Sequence, residues 1–347
     1  MLNVVIVGHG LAGRHFHAPL VKRQSDLHLH GVVARDPQVR AQATALWNCQ
    51  GYASLDQALA DPAIDLVILA TPHRVHADQA VATLQAGKHC VVDKVMALSE
   101  AEADRMIAAR DASGKMLSVF HNRRWDWDFQ TILALQKQQA FGRPVLIESA
   151  VCQHKPPRNW RGRADEAGTI LHDWGAHLID QALQMGLGPS RRLTAWLTPA
   201  PWDGVDVGGH GRIVLEFDHN VLFQVETSRI CRTPRPRWWV VGTLGGFVKY
   251  GVDPQEDALR NGDLGAAHEP ESLYGRLLTD SDSGPDETVV MPTRSSWDAY
   301  YGNIADHLVR SRPLAVTAEQ AREVVRVLDA AQQSIVEHKT LEGTWGS

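Results

Sequence analysis

A β-branched run, "NVVIV" at 3–7, passes directly into "GHGLAG" at 8–13, and no other feature limits the fold of this chain so tightly. In a strand–loop–helix unit the first such glycine makes a tight turn, and the second lets the backbone approach a pyrophosphate. The third lets the helix pack closely on the strand, while the helix N-terminus faces the anion. A lone G-x-G-x-x-G is weak; its place ahead of a strand–helix alternation makes it specific. Strands read at "LHGVVA" (29–34), "DLVILA" (65–70), "HCVV" (89–92) and "MLSVF" (116–120), and helices at 76–87 and 99–114. Gly87 and Gly114 stop the two helices, and Ser99 with Glu102 forms a capping box. The pattern predicts a doubly wound parallel sheet over 1–120 that holds a dinucleotide at Gly8, Gly10, Leu11, Ala12 and Gly13.

Beyond residue 121 the texture changes. Ten of the eleven tryptophans lie there, and the runs at 212–217, 221–227 and 237–250 follow one another without intervening helices. That predicts an α+β domain over 121–347 with an open, mostly antiparallel sheet. Its open face must be covered, which favours a homodimer or homotetramer over a monomer. Residues 253–295, rich in Gly, Asp, Glu and Pro, read as a long surface loop with a short strand near "ETVVMP". Two helices follow at about 296–311 and 317–337, the second opened by Thr317 with Gln320.

With 347 residues and a formal charge of −5, the chain can form two cores and has no basic excess for nucleic acid or an anionic membrane. No apolar run approaches the ~18 residues of a membrane span, and the first residues lack the features of a signal peptide. Cys49, Cys90, Cys152 and Cys231 lie far apart and form no C-x-x-C pair, so neither a disulfide framework nor a zinc knuckle is expected. A reducing cytoplasm is the expected compartment.

The second strand ends in Ala34, Arg35 and Asp36. A small residue followed by arginine leaves room for a 2′-phosphate and supplies a planar cation, which favours NADP. If Arg35 is merely exposed, Asp36 takes the ribose hydroxyls and NAD is the cofactor. Thr71, Pro72, His73 and His76 in "ATPHRVH", and Lys94 in "DKV", follow strand ends, the edge where open α/β sheets bind ligands. Lys94 is singled out because an ammonium beside bound cofactor can donate to a substrate oxygen and stabilise a developing alkoxide. The plainer reading is a surface lysine.

"GTILHDWGAHLIDQAL" (168–183) reads as a helix whose Asp173, His177 and Asp180 stack on one face at about 3.6 residues per turn. Alone, that face is a solvated polar stripe.

With these three motifs in this order, the whole chain resembles the Gfo/Idh/MocA oxidoreductases, the glucose-fructose oxidoreductase and inositol dehydrogenase family. The resemblance implies a Rossmann domain, a larger α/β domain and a polyol or sugar substrate. The family's E-K-P motif corresponds to Asp93-Lys94-Val95, with a shortened acid and valine for proline. Its D-x-x-x-H motif corresponds to Asp173 and His177, which turns that helix face towards the nicotinamide. A branch with NADP-dependent scyllo-inositol dehydrogenases looks closer still, on "HAPL" (17–20), "NRRWDWDF" (122–129) and "PPRNWR" (156–161). It implies that Arg123 and Trp160 face substrate; "NRRW" read by itself serves equally as a structural corner.

The expected chemistry is hydride transfer between nicotinamide and a secondary alcohol or ketone. His177 is general acid/base, Asp173 orients it or binds a substrate hydroxyl, and Lys94 polarises the reacting oxygen, with no metal required. Two alternatives keep the fold: a non-catalytic nucleotide-sensing regulator, and a sugar-active enzyme that uses bound NAD transiently.

Overall fold

The computed structural model describes residues 1–282 and 284–346, and the chain divides into two compact units. The first comprises Met1–Asn122, Gln255–Ala267 and Ser296–Arg322; the second comprises Arg123–Pro254, His268–Ser295 and Glu323–Ser347.

In the first unit six strands pair in parallel: β1 (Leu2–Val7), β2 (Leu27–Val33), β3 (Gln50–Tyr52), β4 (Leu66–Leu69), β5 (His89–Val92) and β6 (Leu117–Val119). Their order, β3-β2-β1-β4-β5-β6, is that of a dinucleotide-binding Rossmann sheet, with its switch point between β1 and β4. Helices cover both faces of such a sheet, which is why β4 is apolar throughout and fully buried rather than alternating. Strand β3, "QGY", carries no apolar signal and is visible only through its pairing with β2. Helix Glu100–Ser113 begins where the Ser99 hydroxyl accepts the Glu102 N–H and stops at left-handed Gly114. The Glu102 carboxylate takes the Leu98 N–H rather than that of Ser99, so the capping box is offset by one residue.

The second unit holds a nine-stranded sheet of β7 (Pro144–Cys152), β8 (Ser190–Thr198), β9 (His210–Phe217), β10 (Val221–Ser228), β11 (Trp238–Gly242), β12 (Gly245–Lys249), β13 (Gly275–Ser281), β14 (Gly284–Val290) and β15 (Leu341–Trp345). Their order is β14-β13-β12-β11-β7-β10-β9-β8-β15; β10 runs parallel to β7 and the other pairs are antiparallel. Strand β9 alternates strictly, burying Ile213, Leu215 and Phe217. With Phe223, Trp238, Val240 and Phe247 they form the core of the inner face.

The expectation of a long surface loop at 253–295 is corrected, while the short strand expected near "ETVVMP" is present as part of β14. That stretch holds a Gln255–Arg260 helix and the β13–β14 hairpin, with Ser283 outside the described residues. The hairpin strands are largely exposed and polar, so cross-strand hydrogen bonds rather than an apolar face define them, and no period-2 pattern marks them. The terminal helices run Asp298–Arg310 and Ala318–Glu337, the latter opened by reciprocal bonds between Thr317 and Gln320. Among the described residues, no helix is long and apolar enough to cross a membrane.

Candidate active site

In the first unit, a Cβ on Gly8 would lie 2.5 Å from the Ala70 carbonyl, and one on Gly13 would overlap the Gly8 carbonyl. A Cβ on Gly10 would meet nothing within 4 Å. Chain packing therefore fixes the outer two glycines, while the space over Gly10 stays open as the cradle a pyrophosphate needs. The helix starts beside it, with Arg14 N–H donating to the Gly10 carbonyl (3.0 Å), and Leu11 is exposed while Ala12 is buried. The loop fits a dinucleotide.

At the end of β2, Ala34 is buried and Arg35 exposed. Asp36 Oδ1 accepts the N–H groups of Gln38 (2.8 Å) and Val39 (3.3 Å), so its carboxylate caps the Pro37–Trp47 helix. The loops after β4 and β5 are joined by one imidazole. His76, fully buried, places Nδ1 at 2.8 Å from the Val95 carbonyl and Nε2 at 3.0 Å from that of Thr71. Burial pushes its pKa down against the pull of these carbonyls and Asp93, and the neutral ring donates to one of the two at a time. Thr71 donates to Gln79 Oε1 at 2.7 Å, and His73 is buried against the His76 ring.

Lys94 follows β5, and its peptide bond to Val95 is cis. Its amide donates to Asp93 Oδ1 at 2.8 Å. Burial opposes the charged form of Asp93, but His17, Lys94 and His76 outweigh it and hold the carboxyl at about 2. His17, fully buried, bonds Tyr301 through Nδ1 (2.7 Å) and turns Nε2 towards Asp93 at 3.9 Å. The "HAPL" segment thus backs the Lys94 loop.

In the second unit, the helix carrying Asp173 and His177 is not one uniform helix. Leu171–Gly175 is a π-helical turn, followed by α-helix over Ala176–Gln184. The π-helical turn takes in Asp173, whereas His177 and Asp180 both lie in the α-helical part. Asp173 pairs with Arg229 at 2.5 Å, and Arg229 also donates to Gln153 Oε1 at 3.1 Å. Asp180, 1% exposed, accepts both Nε (2.9 Å) and Nη2 (2.7 Å) of Arg124. It anchors the helix rather than joining the pair.

His177 is 6% exposed and meets the edge of Trp174, ring centroids 6.0 Å apart. The Arg123 guanidinium lies 4.0 Å from the Trp174 ring centre and pairs with Asp126 at 3.2 Å. Burial, with Asp253 and Asp128 nearby, pushes Asp126 up against the pull of Arg123. Gln181 ties the helix in a second way, donating to the Arg123 carbonyl (2.8 Å) and accepting from Arg237 (2.7 Å). Trp160 is half-buried beneath the Arg161 guanidinium. Among the described residues there is no group of three or more His, Cys, Asp or Glu side chains placed to hold a metal.

Residues 2–121 match the oxidoreductase family with an NAD-binding Rossmann fold, and residues 129–248 match the GFO/IDH/MocA C-terminal domain. The chain belongs to the Gfo/Idh/MocA oxidoreductase family. It is 32% identical to scyllo-inositol 2-dehydrogenase (NADP(+)) IolW of Bacillus subtilis, over 98% of this chain and 95% of that one. It is 30% identical to the uncharacterized oxidoreductase YdgJ of Escherichia coli, over 98% of each. The solved structure of the putative oxidoreductase yvaA from Bacillus subtilis superposes with a TM-score of 0.91 at 30% identity, covering 99% of this chain and 98% of that one.

For a Gfo/Idh/MocA oxidoreductase, the residues missed in the sequence are the partners rather than the motif residues. Arg229 lies 56 positions from Asp173, and Arg124 lies 56 from Asp180. No local spacing links them. The one available signal was the density of charge in "NRRWDWDF", where Arg123, Arg124, Asp126 and Asp128 are all buried.

Proposed function

We propose that this oxidoreductase moves a hydride between C4 of an NADP nicotinamide and the secondary alcohol or ketone carbon of a cyclic polyol or sugar. When bound, the nicotinamide supplies the hydride acceptor or donor. In the oxidising direction His177 takes the hydroxyl proton as the C–H hydride leaves; in the reducing direction it returns a proton to the carbonyl oxygen. Lys94 donates a hydrogen bond to that same oxygen and stabilises its developing negative charge. Asp173, held by Arg229, accepts a neighbouring substrate hydroxyl. Arg123 fixes Trp174 against His177, and Trp160 offers an aromatic face to sugar C–H groups. Both Lys94 and His177 must act on one substrate oxygen for the reaction to proceed.

The observation that carries this reading is the Asp173–Arg229 pair beside a buried His177, since a nucleotide sensor needs neither. The engagement of Asp36 as a helix cap supports NADP over NAD, because it leaves Arg35 as the side chain offered at the end of β2. Thr71, Pro72 and Lys94, at the carboxyl edge of the sheet, complete the proposed cofactor contacts; the expectation of His73 and His76 as contacts is corrected, since both are buried and His76 has its two ring nitrogens on the Val95 and Thr71 carbonyls.

The reading extends to a homodimer or homotetramer. Cross-strand pairing puts Trp196, Leu222, Trp239 and Leu278 on the outer face of the nine-stranded sheet, all partly exposed. Association through that face would be lost in Trp239→Glu on sedimentation analysis.

The testing experiment is His177→Ala. The loss of a general acid/base predicts a fall in kcat of about 10²–10⁴ with NADP affinity unchanged. An unchanged kcat at saturating substrate overturns the assignment.

A further inference from the structure

The first unit contains a second concavity, of about 270 Å³, at the amino-terminal edge of its parallel sheet. It is lined where β5 and β6 begin, by His89, Lys115 and Leu117, and by His307, Leu308 and Leu314 from the C-terminal part of the unit. Gly8, Thr71 and Lys94 lie at the opposite edge, where strands end, so this is not the cofactor site.

Its polar groups have an uneven sense. His89 Nδ1 accepts the Met116 N–H at 3.0 Å, which leaves Nε2 as the protonated, donating nitrogen. Lys115 offers three more donors and has no ion-pair partner among the described residues. The carboxylate in the lining, Glu319, is already bound by Arg110 at 2.5 Å. His307 spends its Nδ1–H on the Arg312 carbonyl at 2.7 Å. Burial, Lys115 and His307 all push the His89 pKa down, with Asp65 opposing, so the ring is a neutral donor beside an uncompensated ammonium. Met116, Leu308, Leu314 and Ala318 supply apolar lining. Donors and positive charge together with aliphatic lining match a ligand that has an acceptor-only anionic head and an apolar body.

We propose that this cavity binds a small organic carboxylate, its head held by Lys115 and His89 Nε2–H and its apolar body packed on Leu308 and Leu314. The volume lies just below the ~300 Å³ at which ordinary ligand pockets begin, so the ligand is of single-ring size. The inference is independent of the substrate assigned above.

Titration calorimetry on the full-length protein with saturating NADP, which occupies the other anion-binding edge, tests it with benzoate as the probe. Saturable binding with a Kd on the order of 1 mM is expected for a ligand of this size. Benzamide lacks the charge and inorganic phosphate lacks the apolar body, so each should bind at least about tenfold more weakly. Lys115→Gln, on a half-buried side chain whose loss leaves NADP binding unchanged, should weaken benzoate by about tenfold or more. Benzoate binding that never saturates, benzamide or phosphate binding as well as benzoate, or undiminished affinity in Lys115→Gln would each overturn the proposal.

Discussion

Asp180→Ala isolates the anchor of the helix that carries Asp173 and His177. Two hydrogen bonds, 2.7 and 2.9 Å, join its carboxylate to Arg124, and the two side chains are 2% and 9% exposed. Removing the acid deprives a buried guanidinium of its bidentate Asp180 partner, and breaking a buried pair in this way typically costs about 3–5 kcal/mol. At roughly 2–4 °C per kcal/mol for a unit of this size, Tm should fall by about 6–20 °C. Arg124→Met alone should be comparably harmful, because it takes both guanidinium donors from the buried carboxylate. The double variant Asp180→Leu/Arg124→Met removes both charges and should lie within about 2 kcal/mol of the wild type. Urea unfolding of the four proteins gives the coupling energy. If Asp180→Ala loses less than about 1 kcal/mol, or the two single losses simply add in the double variant, the pair does not hold the helix and the reasoning fails.

Other outcomes follow from the same geometry. Arg35→Ala should raise KM for NADP by about 10–100-fold and leave NAD unaffected, as expected for a lost charge-assisted contact; Asp36→Ala should instead lower stability by about 0.5–2 kcal/mol without changing the nucleotide preference. Gly13→Ala should abolish NADP binding measured by fluorescence titration, because the added Cβ overlaps the Gly8 carbonyl. His172 provides a pH test. Burial pushes its pKa from 6.5 to about 4. Between those values the unfolded chain binds the extra proton and the folded one does not, so stability falls as pH drops from 6.5 to 4, by about 3 kcal/mol from this ring. His172→Gln should flatten the loss, read from urea midpoints at pH 7, 5 and 4.

The first unit was legible because its signals are local. "GHGLAG" after "NVVIV" states a steric requirement that Gly8 and Gly13 meet against backbone atoms, and Ser99 and Gly114 bracket their helix within the sequence itself. The second unit hid what depends on distant pairing. Strand β13 pairs with β14 by backbone bonding across an exposed polar hairpin, so only "ETVV" in β14 showed as a strand and β13 left no hydrophobic period to read. The spacing of Asp173, His177 and Asp180 suggested a shared face, but the long-range partners Arg229 and Arg124 give the two acids different tasks. Spacing tells which residues share a side of a regular helix. It does not tell what waits on the other side.

The most direct test of the proposed chemistry is nicotinamide absorbance during incubation of the purified protein with NADP or NAD and a panel of inositols, pyranoses and their keto forms, beside Lys94→Ala. Turnover that prefers NADP and falls by at least about 10²-fold in the variant, with cofactor affinity retained, is the predicted result. Tight NADP binding without turnover of any substrate, or full turnover in Lys94→Ala, would contradict it.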